Sequence, residues 1–183
     1  MGQVKLASRN VLYWGVVLLF GAQALLVSAH ATEASLRVAF VYNFLKFIEW
    51  PAQESPVFNL CAVNAQGAAR QSLAQLNNKT YQSRQINIIY LDQVADISSQ
   101  LNHCQLLYVP TSGADFQLPQ AFPAGVLLVM DEADPNDGRV GISLLRTANR
   151  IEFVMNEQAI QHAGVKVSSQ LLKLAKKRKE GGR

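Results

Sequence analysis

The stretch Val38-Ala-Phe-Val-Tyr-Asn-Phe-Leu-Lys-Phe-Ile-Glu-Trp-Pro51 decides how the rest of the chain is read. Its fourteen positions hold five aromatic residues, Phe40, Tyr42, Phe44, Phe47 and Trp50. Phe40, Phe44 and Phe47 recur at helical spacing with Val41, Leu45 and Ile48 beside them, so the stretch reads as a helix whose apolar arc is wider than one stripe. Asn43, Lys46 and Glu49 mark a narrow polar edge, and Pro51 disfavours helical geometry at Trp50, so the helix is expected to run up to there and stop. So apolar a helix must be covered on more than one side, which predicts that the later strands are built against it. The plain reading is a core helix. The functional one is that part of the aromatic surface, Tyr42 and Trp50 above all, stays open for a partner.

Working outward towards the N-terminus, Lys5 and Arg9 precede an apolar run over 11–27, and Ser28-Ala-His-Ala31 offers small residues where a signal peptidase reads them. This predicts a secretory signal, residues 1–31, cleaved after Ala31. The rival is an uncleaved anchor, for which a run of about 17 residues is at the lower limit. Residues 32–183 then form a single domain of 152 residues, enough for a real core. The net charge falls from +4 for the whole chain to +2, from 15 basic and 13 acidic residues. That balance and export both argue against a nucleic-acid partner.

Two cysteines, Cys61 and Cys104, remain. In an oxidising compartment they are a candidate disulfide; the alternative is two buried thiols. Without C-x-x-C or a His–Asp arrangement nearby, they give little support to a zinc or catalytic site.

Towards the C-terminus, 58–63, 85–91, 106–109 and 125–130 read as strands. Short helices are expected at 68–76 and around Val94, Ile97 and Leu101. Alternation of this kind implies a mainly parallel sheet with helices on both faces, a Rossmann-like α/β sandwich. Strands at 140–144 and 151–155, joined by Arg146–Arg150, make the sheet mixed, with an antiparallel pair at its edge. Asn156 caps a helix stopped by Gly164. Ser168 or Ser169 opens a last helix that should bury Leu171, Leu172, Leu174 and Ala175, and the basic run at Lys176–Lys179 follows in solvent.

Candidate chemistry is sparse. The loop Asp131–Gly138 is acidic but lacks the calcium-loop spacing, and a solvated turn is the simpler reading. His103 and His162 have no second ligand at metal spacing, so no metal or cofactor is expected. No phosphate loop, G-x-S-x-G or dinucleotide fingerprint occurs. This favours binding over catalysis, and an uncharted hydrolase is the weakest of the readings.

Two segments carry a family resemblance. VAFVYNFLKFIEWP resembles the opening signature of the YfiR family of periplasmic proteins, and RIEFVMNEQAIQHAGVKVSSQLLKLA its closing pattern. Between them, FNLCAV and HCQLLYVP match its two cysteine-bearing strands. The resemblance implies an exported α/β sandwich that represses an inner-membrane diguanylate cyclase by binding that enzyme's periplasmic sensor region. It implies sequestration by an outer-membrane lipoprotein, control of cyclic di-GMP and thus of biofilm and motility, and redox tuning through Cys61 and Cys104. Any second disulfide of relatives is absent here, and Arg146-Thr-Ala-Asn149 departs from the usual link. A homodimer is compatible with this reading. The partner-binding candidates are Tyr42, Trp50, Arg146, Asn149 and Arg150. The alternative function is a small-molecule sensor domain with its pocket at the C-terminal strand ends, near Asn64 and Thr111.

Overall fold

Thr32 starts the first helix: its hydroxyl accepts a hydrogen bond from the Ser35 amide at 3.1 Å, and α1 runs Glu33–Leu45. The computed structural model describes residues 32–51, 55–134, 136–148 and 150–176. The expected signal segment, Asn149 and Lys177–Lys179 lie outside the described residues. The helix stops five residues short of Trp50. Lys46 N donates to Asn43 O and Phe47 N to Phe44 O, closing the last turn three residues back. Ile48–Glu49 then forms β1, paired antiparallel with β9, Lys166–Val167. That pairing pulls the end of the aromatic stretch out of helical geometry.

The main sheet has seven strands: β2 (Val57–Val63), β3 (Thr80–Tyr81), β4 (Arg84–Leu91), β5 (Leu106–Val109), β6 (Leu127–Asp131), β7 (Ile142–Arg146) and β8 (Ile151–Met155). Their order is β3-β4-β2-β5-β6-β7-β8. The five from β4 to β7 are parallel, and β3 and β8 close the two ends as antiparallel partners of β4 and β7. The expected mixed sheet with an antiparallel edge is the observed one. β6 and β7 begin two residues later than the apolar pattern suggests.

Helices α2 (Gly67–Ala74), α3 (Val94–Gln100), α4 (Glu157–Ala163) and α5 (Ser169–Leu174) complete the fold. Alternate residues of β2 point to opposite faces, as the strand period requires. Leu60 and Ala62 join Val41, Phe44, Leu73 and Ile160 in one core. Cys61 and Val63 join Ile97, Leu107, Phe122 and Leu128 in the other. The first core lies under α1, α2 and α4. The second lies under α3 and the irregular residues 114–126. Every residue of β5 is buried, which is why its sequence is an unbroken apolar run.

Helix ends follow local chemistry. Asn156 Oδ1 accepts from two amides at the start of α4, and Gly164 ends it with φ 68°, a conformation that glycine adopts at little steric cost. On α5 only Leu171 is buried; Leu172 and Leu174 are exposed, against the expectation that all three face inward.

Candidate partner-binding surface

Most of the aromatic stretch is spent on packing. Trp50, one of the partner-binding candidates, is only 8% exposed, as the plain reading of a core stretch has it. Its indole N–H donates to the Gln105 carbonyl at 2.9 Å. Its ring meets Phe58 edge-on at 4.8 Å and Tyr81 at 6.0 Å, and Phe58 and Tyr81 stand 5.0 Å apart. Such edge-to-face geometry suits the ring quadrupoles. Tyr81 in turn donates its hydroxyl to Ile48 O at 2.7 Å, and burial pushes its phenol up to about 12. Trp50 thus fastens β1 to the sheet and presents little surface to a partner.

Tyr42 is different. It is half-buried near the end of α1, and the ammonium groups of Lys46 and Lys79 each lie 5.1 Å from its ring centre. It lines a crevice of about 180 Å³ with Leu45, Lys46, Thr80, Tyr81 and Gln82. A second crevice, about 250 Å³, shares Lys46 and Gln82 and continues along Phe47, Glu49 and Lys166–Ser168.

Arg146 and Arg150 sit on the β7–β8 hairpin with side chains 70% and 69% exposed. Both are engaged: Arg146 pairs with Glu33 at 3.0 Å and Arg150 with Glu152 at 2.6 Å. Asn149, between them, is outside the described residues. Glu33 opens α1 and Tyr42 lies near its end; at 1.5 Å per residue the separation is about 14 Å along the axis. The candidates therefore make two patches at opposite ends of one helix.

Between those patches lies a network that sequence reading missed. Arg37, on the inner side of α1, is 2% exposed. It binds Glu33 at 2.7 Å, Leu144 O at 2.9 Å and the Glu132 carboxylate, and faces Asp131 Oδ1 at 3.5 Å. Asp131 is buried, not part of a solvated turn. It accepts from the Tyr108 hydroxyl at 3.0 and 3.1 Å and from the Thr111 amide at 3.2 Å. Burial works against the Arg37 charge, yet Glu33, Glu132 and Asp131 hold its guanidinium above the ordinary value. Burial also pushes the Asp131 carboxyl up, against the pull of Arg37 and its hydrogen-bond donors. The Tyr108 phenol is pushed up by burial and by Asp131, so it stays protonated and donates. The one available signal was an arginine in line with Val38, Val41 and Phe44 on the buried stripe.

At the strand ends, where the sheet order reverses between β2 and β5, the turns that carry Asn64 and Thr111 are tied to each other. Asn64 Nδ2 donates to Ser112 O, and Ser112 Oγ to Asn64 O, both at 2.8 Å. A Cβ on Gly113 would fall 2.4 Å from Val63 O, so the two backbones approach closely beside the place that the alternative, small-molecule reading assigns to a pocket. The rest of the acidic loop is self-contained: Asp137 binds Arg139 at 2.7 Å and Asp134 accepts from the Asn136 amide. Among the described residues no group of three His, Cys, Asp or Glu side chains gathers as a metal site would require. His162 Nε2 bonds Phe122 O at 3.0 Å, a structural contact. Cys61 and Cys104 are joined in a disulfide with Cα atoms 5.8 Å apart.

The sequence profile of YfiR/HmsC-like domains matches residues 34–176, from the first turn of α1 to the last described residue. The chain belongs to the YfiR/HmsC-like family. The match takes in both cores, the disulfide and both surface patches. The YfiR/HmsC-like family is periplasmic and regulatory and supports a role in cyclic di-GMP signalling. Among the described residues no helix is long and apolar enough to cross a membrane.

Proposed function

We propose that this protein is a periplasmic negative regulator that binds the periplasmic sensor region of an inner-membrane diguanylate cyclase and so represses cyclic di-GMP synthesis. The observation that carries the reading is the family match across the whole described domain. The surface supports it: Tyr42 with its lysines at one end of α1, Arg146 and Arg150 at the other. A regulator without chemistry of its own acts by differential affinity. If it binds the inactive sensor conformation more tightly than the active one, the cyclase population shifts by at most that difference. In this reading residues 1–31 direct export and are removed after Ala31, and an outer-membrane lipoprotein sequesters the regulator when repression is lifted.

Deleting the gene should raise cellular cyclic di-GMP, measured by mass spectrometry, and a periplasmic copy should restore it. Unchanged levels in the deletion strain would sink the reading. The intact mass of the exported protein should begin at Thr32.

A further inference from the structure

Most cations among the described residues are paired with carboxylates; of the lysines that are not, Lys173 lies on α5 and lines neither crevice, and three gather at the crevices. Arg37, Arg70, Arg139, Arg146, Arg150 and Lys176 each pair with a carboxylate. Lys46, Lys79 and Lys166 have no carboxylate within salt-bridge distance among the described residues, and all three are exposed. They surround the two joined crevices: Lys46 lines both, Lys166 lines the second, and Lys79 lies over the Tyr42 ring that lines the first. The Tyr42 ring attracts both ammonium groups, each 5.1 Å from its centre, and cation–π attraction of this kind lowers the ordering cost of using them. Glu49 is the one acid lining either crevice, so positive charge prevails.

The wall between the crevices is built by an unusual turn. Gln82 and Ser83 connect β3 to β4 with φ 44° and 68°, the left-handed pair that a two-residue hairpin loop demands and that Asn-Gly normally supplies. Gln82 lines both crevices, so the turn places an amide donor and acceptor at their junction.

We propose that these crevices form a docking surface for an acidic protein segment, with its carboxylates seated among Lys46, Lys79 and Lys166 and its backbone against Gln82. The proposal deepens the regulator reading by giving the partner's contact a chemistry, and it rests on that reading only for whose segment it is. Phosphate recognition would favour arginine's bidentate fork, and no arginine lines either crevice. A lipid surface would take inserted apolar side chains alongside basic ones. The exposed large apolar residues Leu36, Val94, Leu172 and Leu174 line neither crevice.

The test is fluorescence anisotropy of a labelled peptide of alternating Glu and Ser with the purified protein. Binding at low ionic strength should weaken as salt rises. It should fall at least tenfold in Lys46→Glu/Lys79→Glu, with circular dichroism unchanged, and stay within twofold in Lys173→Glu, a lysine unpaired among the described residues that lines neither crevice. No binding, or an equal loss in Lys173→Glu, would overturn the surface. So would binding to phosphatidylglycerol vesicles, lost in the same double variant, in place of peptide binding. Lysine-dependent peptide binding combined with unchanged cyclic di-GMP in the deletion strain would uphold the surface and remove the cyclase as its partner.

Discussion

Arg37 and Asp131 face each other at 3.5 Å inside the protein, 2% exposed apiece, one on α1 and the other at the end of β6. A buried pair of this kind adds little net stability over an apolar pair, but removing one partner strands the other charge. Arg37→Met should therefore cost about 3–5 kcal/mol, read as a lower denaturation midpoint at unchanged slope. Arg37→Met/Asp131→Asn should recover part of it. If the double variant is as unstable as the sum of the two singles, the pair is not coupled.

The disulfide closes a loop between residues 43 positions apart. On the chain-entropy model such a link stabilises by about 4 kcal/mol. Cys61→Ala/Cys104→Ala should then melt about 10 °C below the natural protein, given a few degrees per kcal/mol at this size. Reductant should lower the melting temperature of the natural protein towards that of the double variant and leave the double variant unchanged.

Asp137 carries the clearest acid sensitivity. Its hydrogen bonds from Arg139 hold its carboxyl below the ordinary value despite partial burial. A depressed folded-state value contributes stability that is present above the unfolded value near pH 4 and is lost as pH falls through the folded one. Arg139 also donates to the carbonyls of Leu118 and Pro119, pinning the irregular segment over the second core. Asp137→Asn should cost about 1 kcal/mol at pH 7 and almost nothing at pH 2. A cost that stays the same at both values would show that the charge is irrelevant.

Where chain neighbours set the structure, the sequence was legible. Asn156 as a cap, Ser168 as one of two candidate caps, Gly164 as a stop, the strands at 106–109 and 151–155 and the mixed sheet all follow from local chemistry or short-range period. What escaped it depends on distant partners. The helix end was misplaced because Ile48 and Glu49 pair with residues more than a hundred positions away. Sequence leaves Trp50 open between core and surface, and only Phe58, Tyr81 and Gln105, closing around it, decide for the core. Arg37 and Asp131 were invisible as a pair for the same reason. On the surface, Tyr42 could be singled out by its place in the stretch, but Lys79, Gln82 and Lys166 reach it only through the fold.

Trp50 and Tyr42 share one stretch of sequence, and substitution should separate their roles. Trp50→Ala removes a buried indole from the ring cluster with Phe58 and Tyr81, so a loss of about 3–5 kcal/mol is expected. Gln105 O keeps a second donor, the Leu127 amide at 3.0 Å, so Trp50→Phe should cost only about 1 kcal/mol. Trp50 itself lines neither crevice and touches the first through Tyr81, so the folded fraction of Trp50→Phe, which keeps a ring against Tyr81, should capture partner from solubilised membranes as the natural protein does. Tyr42→Ala should reverse the pattern, with a stability loss near 1 kcal/mol and a drop in capture, because Lys46 and Lys79 lose the ring that orders them. Partner capture that follows Trp50 and ignores Tyr42 would move the contact surface away from this end of the helix.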